Sequence, residues 1–199
     1  MKDIVFDFGG VLVEWNPRYL YRKIFATEEE MEWFLGQVCT AQWNEQLDAG
    51  RPFEEAVASL QEKYPAYRTQ IADYYARWDE MMAGAVPGTA DIVRELKDKG
   101  FRVYGLSNWS AQTFPLAQKR FPVFSWLDGR VLSGEEKINK PEAEIFRRLL
   151  ARFSLKAENC IFIDDNMQNI AAARKLGFET IPFEGADSLR KTLARSGVL

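Results

Sequence analysis

From residue 89 to residue 183 the chain alternates amphipathic stretches with short apolar runs, and that rhythm restricts what it can fold into. Thr89 to Lys99 has helical spacing and stops at Gly100, as a helix C-terminus does when the chain must turn left-handed. Arg102-Val103-Tyr104-Gly105-Leu106 follows as a strand ending in Ser107-Asn108. Ser110 to Phe121 suggests a helix interrupted or ended near Pro115, and Val123 to Trp126 a short strand. Pro141 opens a helix over Glu142 to Leu150, and Cys160-Ile161-Phe162-Ile163 is a strand. Asn166 to Leu176 is a helix ended by Gly177, and Glu179 to Phe183 a last strand. Strands joined by helices pair in parallel through right-handed crossovers. The expected fold class is α/β.

The chain opens with another apolar run, Ile4-Val5-Phe6, which ends in Asp7 and then breaks at Gly9-Gly10. It belongs with the later strands, so the stretch between is an insertion. From Asn16-Pro17 to about Ala83 the spacing is helical. Asn16 and Pro17 suit an N-cap and first helical position for a helix through Phe25, and Thr27 to Glu30 forms a capping box. A turn at Asp48 to Pro52 precedes a helix from Phe53, and a last helix is expected over Tyr67 to Met82. Residues 15–86 hold four of the six tryptophans and all but one tyrosine, as expected of a helical bundle with an aromatic core. Trp43, Asn44 and Asp48 flank the turn and could face a cleft. Ala83 to Gly88 reads as a linker. The expected domains are a core of residues 1–14 and 87–199 and a helical cap of residues 15–86.

Composition narrows the chemistry. There are no histidines and only two cysteines, Cys39 and Cys160. That removes Ser-His-Asp and Cys-His catalysis, His-bearing zinc sites, and any disulfide framework. Cys160 reads as a buried thiol opening a strand, in keeping with a reducing cytoplasmic location. A formal net charge of −3 supplies no basic field for nucleic acid or an anionic membrane. No window is apolar for the length of a membrane span, and Asp3 and Asp7 interrupt anything resembling a signal peptide.

Four strand or helix edges carry candidate groups: Asp7, Ser107 with Asn108, Lys140, and Asp164 with Asp165. In a parallel sheet these edges gather at the carboxyl end, where ligands of such sheets bind. Asp7 and the acidic pair suit Mg²⁺, which takes carboxylate, carbonyl and water oxygens and leaves room for phosphate. A free Asp7 oxygen could then attack a phosphoryl group. Ser107, with the amides after it, could bind phosphoryl oxygens near a helix start, and Lys140 supplies positive charge. Singly, each has a plainer reading: Ser107-Asn108 and Asp164-Asp165 as helix caps, Lys140 as a solvated lysine. Those readings would all have to coincide at matching edges.

Taken in order, Asp7-Phe8-Gly9-Gly10-Val11, Ser107-Asn108, Lys140-Pro141 and Asp164-Asp165 with Asn169 resemble the four motifs of the haloacid dehalogenase (HAD) superfamily. The resemblance spans nearly the whole chain and is similar to bacterial glucose-1-phosphate phosphatase-like members with an Asp-x-Gly start. It implies a Rossmann-like three-layer core with a helical cap of the C1 type. It further implies Mg²⁺-dependent hydrolysis of a small phosphorylated metabolite through an aspartyl-phosphate at Asp7. Asp7, the Gly9 carbonyl and Asp165 would bind metal, with Asp164 close by and Asn169 supporting. Ser107, Asn108 and Lys140 would bind phosphate, Lys140 also taking part in catalysis. One departure stands out: Gly9 occupies the position of the family's usual acid/base Asp, a group commonly worth about 10²–10⁴ in rate. Two other readings remain, a metal-free dehalogenase-type hydrolase and a non-catalytic phosphate-binding or regulatory protein. Asp164-Asp165 argues against the first, and the retained motif residues against the second.

Overall fold

The structure is a computed structural model that describes residues 2–199. Its strands are β1 (Asp3–Phe6), β2 (Val13–Trp15), β3 (Met82–Ala85), β4 (Val103–Ser107), β5 (Gly129–Leu132), β6 (Cys160–Asp164) and β7 (Glu179–Pro182). Five of them form a sheet in the order β5-β4-β1-β6-β7, every pairing parallel. β2 and β3 make a separate antiparallel ribbon. The insertion between β2 and β3 carries α1 (Arg18–Tyr21), α2 (Glu28–Gln37), α3 (Ala41–Asp48), α4 (Phe53–Lys63) and α5 (Arg68–Ala76). Around the main sheet lie α6 (Thr89–Asp98), α7 (Phe114–Arg120), α8 (Ser133–Glu136), α9 (Ala143–Phe153), α10 (Met167–Lys175) and α11 (Ala186–Arg195). Among the described residues no helix is long and apolar enough to cross a membrane.

The α/β class follows from burial on both faces of the sheet. Every residue of β1, β4 and β6 is buried, which is why these strands read as continuous apolar runs. Side chains alternate between faces, and the two halves of the core show it. Ile4, Phe6, Ile161 and Ile163 join one cluster, which runs on into Tyr21, Phe34, Trp43 and Tyr74 of the insertion. Val5, Phe162, Tyr104 and Leu106 join the other, against Ile145, Phe146 and Leu149 of α9. The insertion thus shares one cluster with the sheet.

Several local expectations change. Ala83 to Gly88 is not a free linker: Met82–Ala85 pairs with Val13–Trp15, with Val13 opposite Ala85. Alanine and glycine carry little strand preference, so pairing with β2 is what makes this segment a strand. The first helix runs Arg18–Tyr21, ending before Phe25 and starting one residue later than expected. Pro17 rather than Asn16 is therefore its N-cap, without a side-chain cap bond. Asn16 Oδ1, one residue earlier, accepts the Arg18 N–H at 3.0 Å. The capping box at Thr27 forms as expected. The last helix of the insertion ends at Ala76, and a 3₁₀ turn follows at Trp78–Met81. Pro115 stands in the first turn of α7 instead of ending a helix. Pro122–Trp126 is a 3₁₀ turn, not a strand, and the edge strand is Gly129–Leu132. Only the second half of that strand is buried, too short an apolar run to read on its own.

Candidate active site

The strand order decides which motif residues meet. β1 is central, flanked by β4 and β6, with Phe6 opposite Gly105 on one side and Ile163 on the other. The first residue past β1, Asp7, therefore emerges between the ends of β4 and β6, and its N–H bonds to the Ile163 carbonyl at 2.9 Å. Ser107 closes β4 and Asp164 closes β6. The chain leaves β1 through a turn in which Gly10 has φ +75°, and a Cβ there would lie 2.3 Å from Asp165 Oδ2. Glycine is what lets Asp165 approach. Carboxylate oxygens of Asp7, Asp164 and Asp165 all lie within 4.8 Å of one another.

Lys140 joins them from the loop between α8 and α9. Its Nζ stands 2.9 Å from Asp7 Oδ1 and 2.6 Å from Asp164 Oδ2. The Lys140 backbone is gripped by Asn108, whose Oδ1 accepts its N–H at 2.7 Å and whose Nδ2 donates to its carbonyl at 2.9 Å. That carboxamide, expected on phosphate, is occupied with the lysine. Asp164 has no exposed surface and accepts from Lys140, the Asn166 N–H at 2.8 Å and Asn169 Nδ2 at 3.1 Å. Asn169 thus holds Asp164 through both of its carboxylate oxygens. The Ser107 side chain is buried.

The electrostatics are lopsided: Asp7 and Asp164 share one ammonium, and the more exposed Asp165 beside them has no ion pair with it. Burial pushes the Asp7 carboxyl up to about 7, against the pull of Lys140 and with a push from Asp164. Asp165 is raised by burial and then by Asp164. Burial works against the charge on Lys140, but Asp7 and Asp164 outweigh it and hold its pKa above the ordinary lysine value. Buried carboxylates left short of positive charge favour protonation or a cation. Asp7, Asp165 and the nearby Asp164 are a donor set of the hard-oxygen kind that suits Mg²⁺.

The insertion closes over this edge. A cavity of about 100 Å³ is lined by Gly9 and Asn108 from the core side, Asn44 and Asp48 from α3, and three tryptophans, Trp15, Trp78 and Trp109. A larger cleft of about 490 Å³ in the insertion shares Trp15 and Asn44 with it. The Ser133 hydroxyl joins the two sides, donating to the Asp48 carbonyl at 2.5 Å and accepting the Trp109 N–H at 2.9 Å. Asn139 Nδ2 donates to the Glu45 carbonyl at 2.8 Å. Of the three residues flanking the Asp48 turn, Asn44 and Asp48 face the cavity. Trp43 instead packs edge-on against Tyr74 with centroids 4.9 Å apart. Trp109 and Ser133 were not singled out in the sequence. Their only signal was position, directly after Asn108 and directly after β5.

A family model for haloacid dehalogenase-like hydrolases matches residues 1–177. A sesquiterpene phosphatase from Aspergillus oryzae is 27% identical over 177 residues, 88% of this chain and 86% of that protein. A D-ribitol-5-phosphate phosphatase from Bacteroides thetaiotaomicron is 26% identical over 211 residues, 94% of each chain. Among solved structures, a HAD family enzyme from Bacteroides thetaiotaomicron in complex with magnesium and inorganic phosphate superposes with a TM-score of 0.73. It is 25% identical, covering 93% of this chain and 95% of that one.

Proposed function

The chain belongs to the haloacid dehalogenase-like hydrolase family, and we propose that it is a Mg²⁺-dependent phosphatase of a small phosphorylated metabolite, such as a sugar phosphate. The observation that carries this reading is the grouping of Asp7, Asp164 and Asp165 at the carboxyl edge of the sheet, the first two paired with one buried lysine. Asp7, Asp165 and the Gly9 carbonyl would hold Mg²⁺, with Asp164 beside them. Bound there, the cation would keep Asp7 ionised and offset charge on the phosphoryl oxygens. The acidic pair favours a phosphoryl substrate over metal-free hydrolysis of 2-haloacids.

In this reading an Asp7 oxygen attacks phosphorus and the ester oxygen departs, leaving a phosphoryl group on Asp7. Lys140, held in place by Asn108 and Asp164, balances the charge of Asp7 and of the phosphoryl oxygens. Ser107 offers its hydroxyl from the end of β4. Asn169 holds Asp164 so that Asp164 in turn fixes the lysine. The phosphoryl group sits at Asp7, and the small cavity beside it, with the larger cleft that shares Trp15 and Asn44, takes the alcohol. Hydrolysis of p-nitrophenyl phosphate and a sugar-phosphate panel, with Mg²⁺ and with a chelator, tests this. Metal-dependent release of phosphate is expected. Turnover that survives complete metal removal would overturn it.

A further inference from the structure

Resting on the phosphatase reading, we propose that Asp48 of the insertion is the catalytic acid that protonates the departing ester oxygen. An alkoxide leaves poorly without a proton, and Gly9 has no side chain to give one. Of the residues lining the small cavity with Gly9, Asp48 alone carries a carboxyl group. Asp7 is assigned to attack, Asp165 to the metal, and Lys140 is held between two carboxylates. The cavity of about 100 Å³ has room for about three waters. Asp7 itself does not line this cavity, but Gly9, two residues on, does, and Asp7 is near enough for its charge to act on the Asp48 carboxyl. The ester oxygen of a phosphoryl group on Asp7 would enter the cavity opposite Asp48.

Asp48 is held for such a task. Its backbone carbonyl is tied to the core through Ser133 at 2.5 Å. Its Oδ2 accepts from Asn44 Nδ2 at 2.8 Å, and Asn44 Oδ1 accepts from the Tyr74 hydroxyl at 2.8 Å. Glu45 on its own helix and Asp7 across the site are the charged groups that act on it, and both are acidic. With burial as the largest cause and Glu45 next, its carboxyl is pushed up to about 8, which keeps it protonated at neutral pH. In the first step the Asp7–phosphorus bond forms, the phosphorus–ester oxygen bond breaks, and the Asp48 proton passes to that oxygen. In the second, water attacks phosphorus, Asp48 takes a proton from it, and the Asp7–phosphate bond breaks. Both groups return to their starting states.

The test compares kcat/KM for p-nitrophenyl phosphate, whose leaving group needs no proton, with that for a simple alkyl phosphate. Asp48→Asn is expected to lower the alkyl value on the order of 10²–10⁴-fold and the aryl value less than about threefold. A Cβ added at Gly9 meets nothing within 4 Å, so Gly9→Asp in the Asp48→Asn background can place a new acid at the site. Recovery of alkyl turnover there would support the assignment in a way that a structural role cannot imitate. Equal loss on both substrates, or loss on neither, would overturn it. A wild-type protein that hydrolyses no phosphate ester would overturn the phosphatase reading itself, and with it this one.

Discussion

The Asn108 side chain straddles the backbone of Lys140, accepting its N–H at 2.7 Å and donating to its carbonyl at 2.9 Å. Residues 32 apart in sequence are thereby locked so that the lysine ammonium falls between Asp7 and Asp164. Asn108→Ala removes both bonds while leaving Lys140 in the chain. The expected result is a fall in kcat on the order of 10²-fold, the usual consequence of misplacing a reacting group by about 1 Å. Loss of two part-buried hydrogen bonds would cost about 1–3 kcal/mol of stability. Steady-state kinetics and a thermal melt measure the two separately.

Asp7→Asn should abolish turnover, by about 10³-fold or more, while the protein stays folded. The lysine keeps its bond to Asp164 at 2.6 Å, so no buried charge is stranded. Wild-type protein quenched during turnover should carry one added phosphoryl mass that the variant lacks. Full activity of the purified variant would remove Asp7 as nucleophile.

Gly10 and Gly9 are adjacent yet should respond oppositely to alanine. Gly10→Ala forces a side chain into φ +75° with its Cβ 2.3 Å from Asp165 Oδ2. A left-handed residue costs about 1–2 kcal/mol before the clash is counted, or about 2–8 °C in Tm for a chain of this size. The displaced Asp165 should also raise the Mg²⁺ concentration needed for half-maximal activity. Gly9→Ala, with open space around the added carbon, should melt close to wild type. Melting the two variants side by side checks both statements.

The Asp48 carboxyl, pushed up to about 8 mainly by burial, ties stability to pH with a definite sign. Unfolded, the group titrates near 3.9. Below that value both states are protonated and nothing is lost. Between the two values the unfolded state gives up its proton while the folded state keeps it, so stability falls as pH rises toward 8 and then levels. Asp48→Asn lacks this loss. Its Tm advantage over wild type should therefore grow from pH 4 to pH 8, by up to about 5 kcal/mol or about 10–20 °C. Melts of both proteins across that range give the difference directly, and a gap that shrinks with pH would contradict the sign.

What the sequence determined by itself was local order. Apolar runs at Ile4–Phe6, Val103–Leu106 and Cys160–Ile163 announced buried strands because both of their faces are covered. Asp7, Ser107 and Asp164-Asp165 were legible because each directly follows or ends such a run, where a polar group signals that burial stops. Other features had no local signature. Met82–Ala85 is a strand only because Val13–Trp15 lies against it, and Gly129–Leu132 only because it completes an edge beside β4. Asn108 read as a cap or phosphate ligand until its carboxamide was found closed around Lys140. Asp48 reaches the cavity through a bond to Ser133, 85 residues away. Spacing along the chain encodes which face a side chain takes on its own strand or helix, since those periods are set by the backbone. Which two faces then meet depends on pairings across tens of residues, and those are decided only when the sheet assembles and the insertion packs onto it.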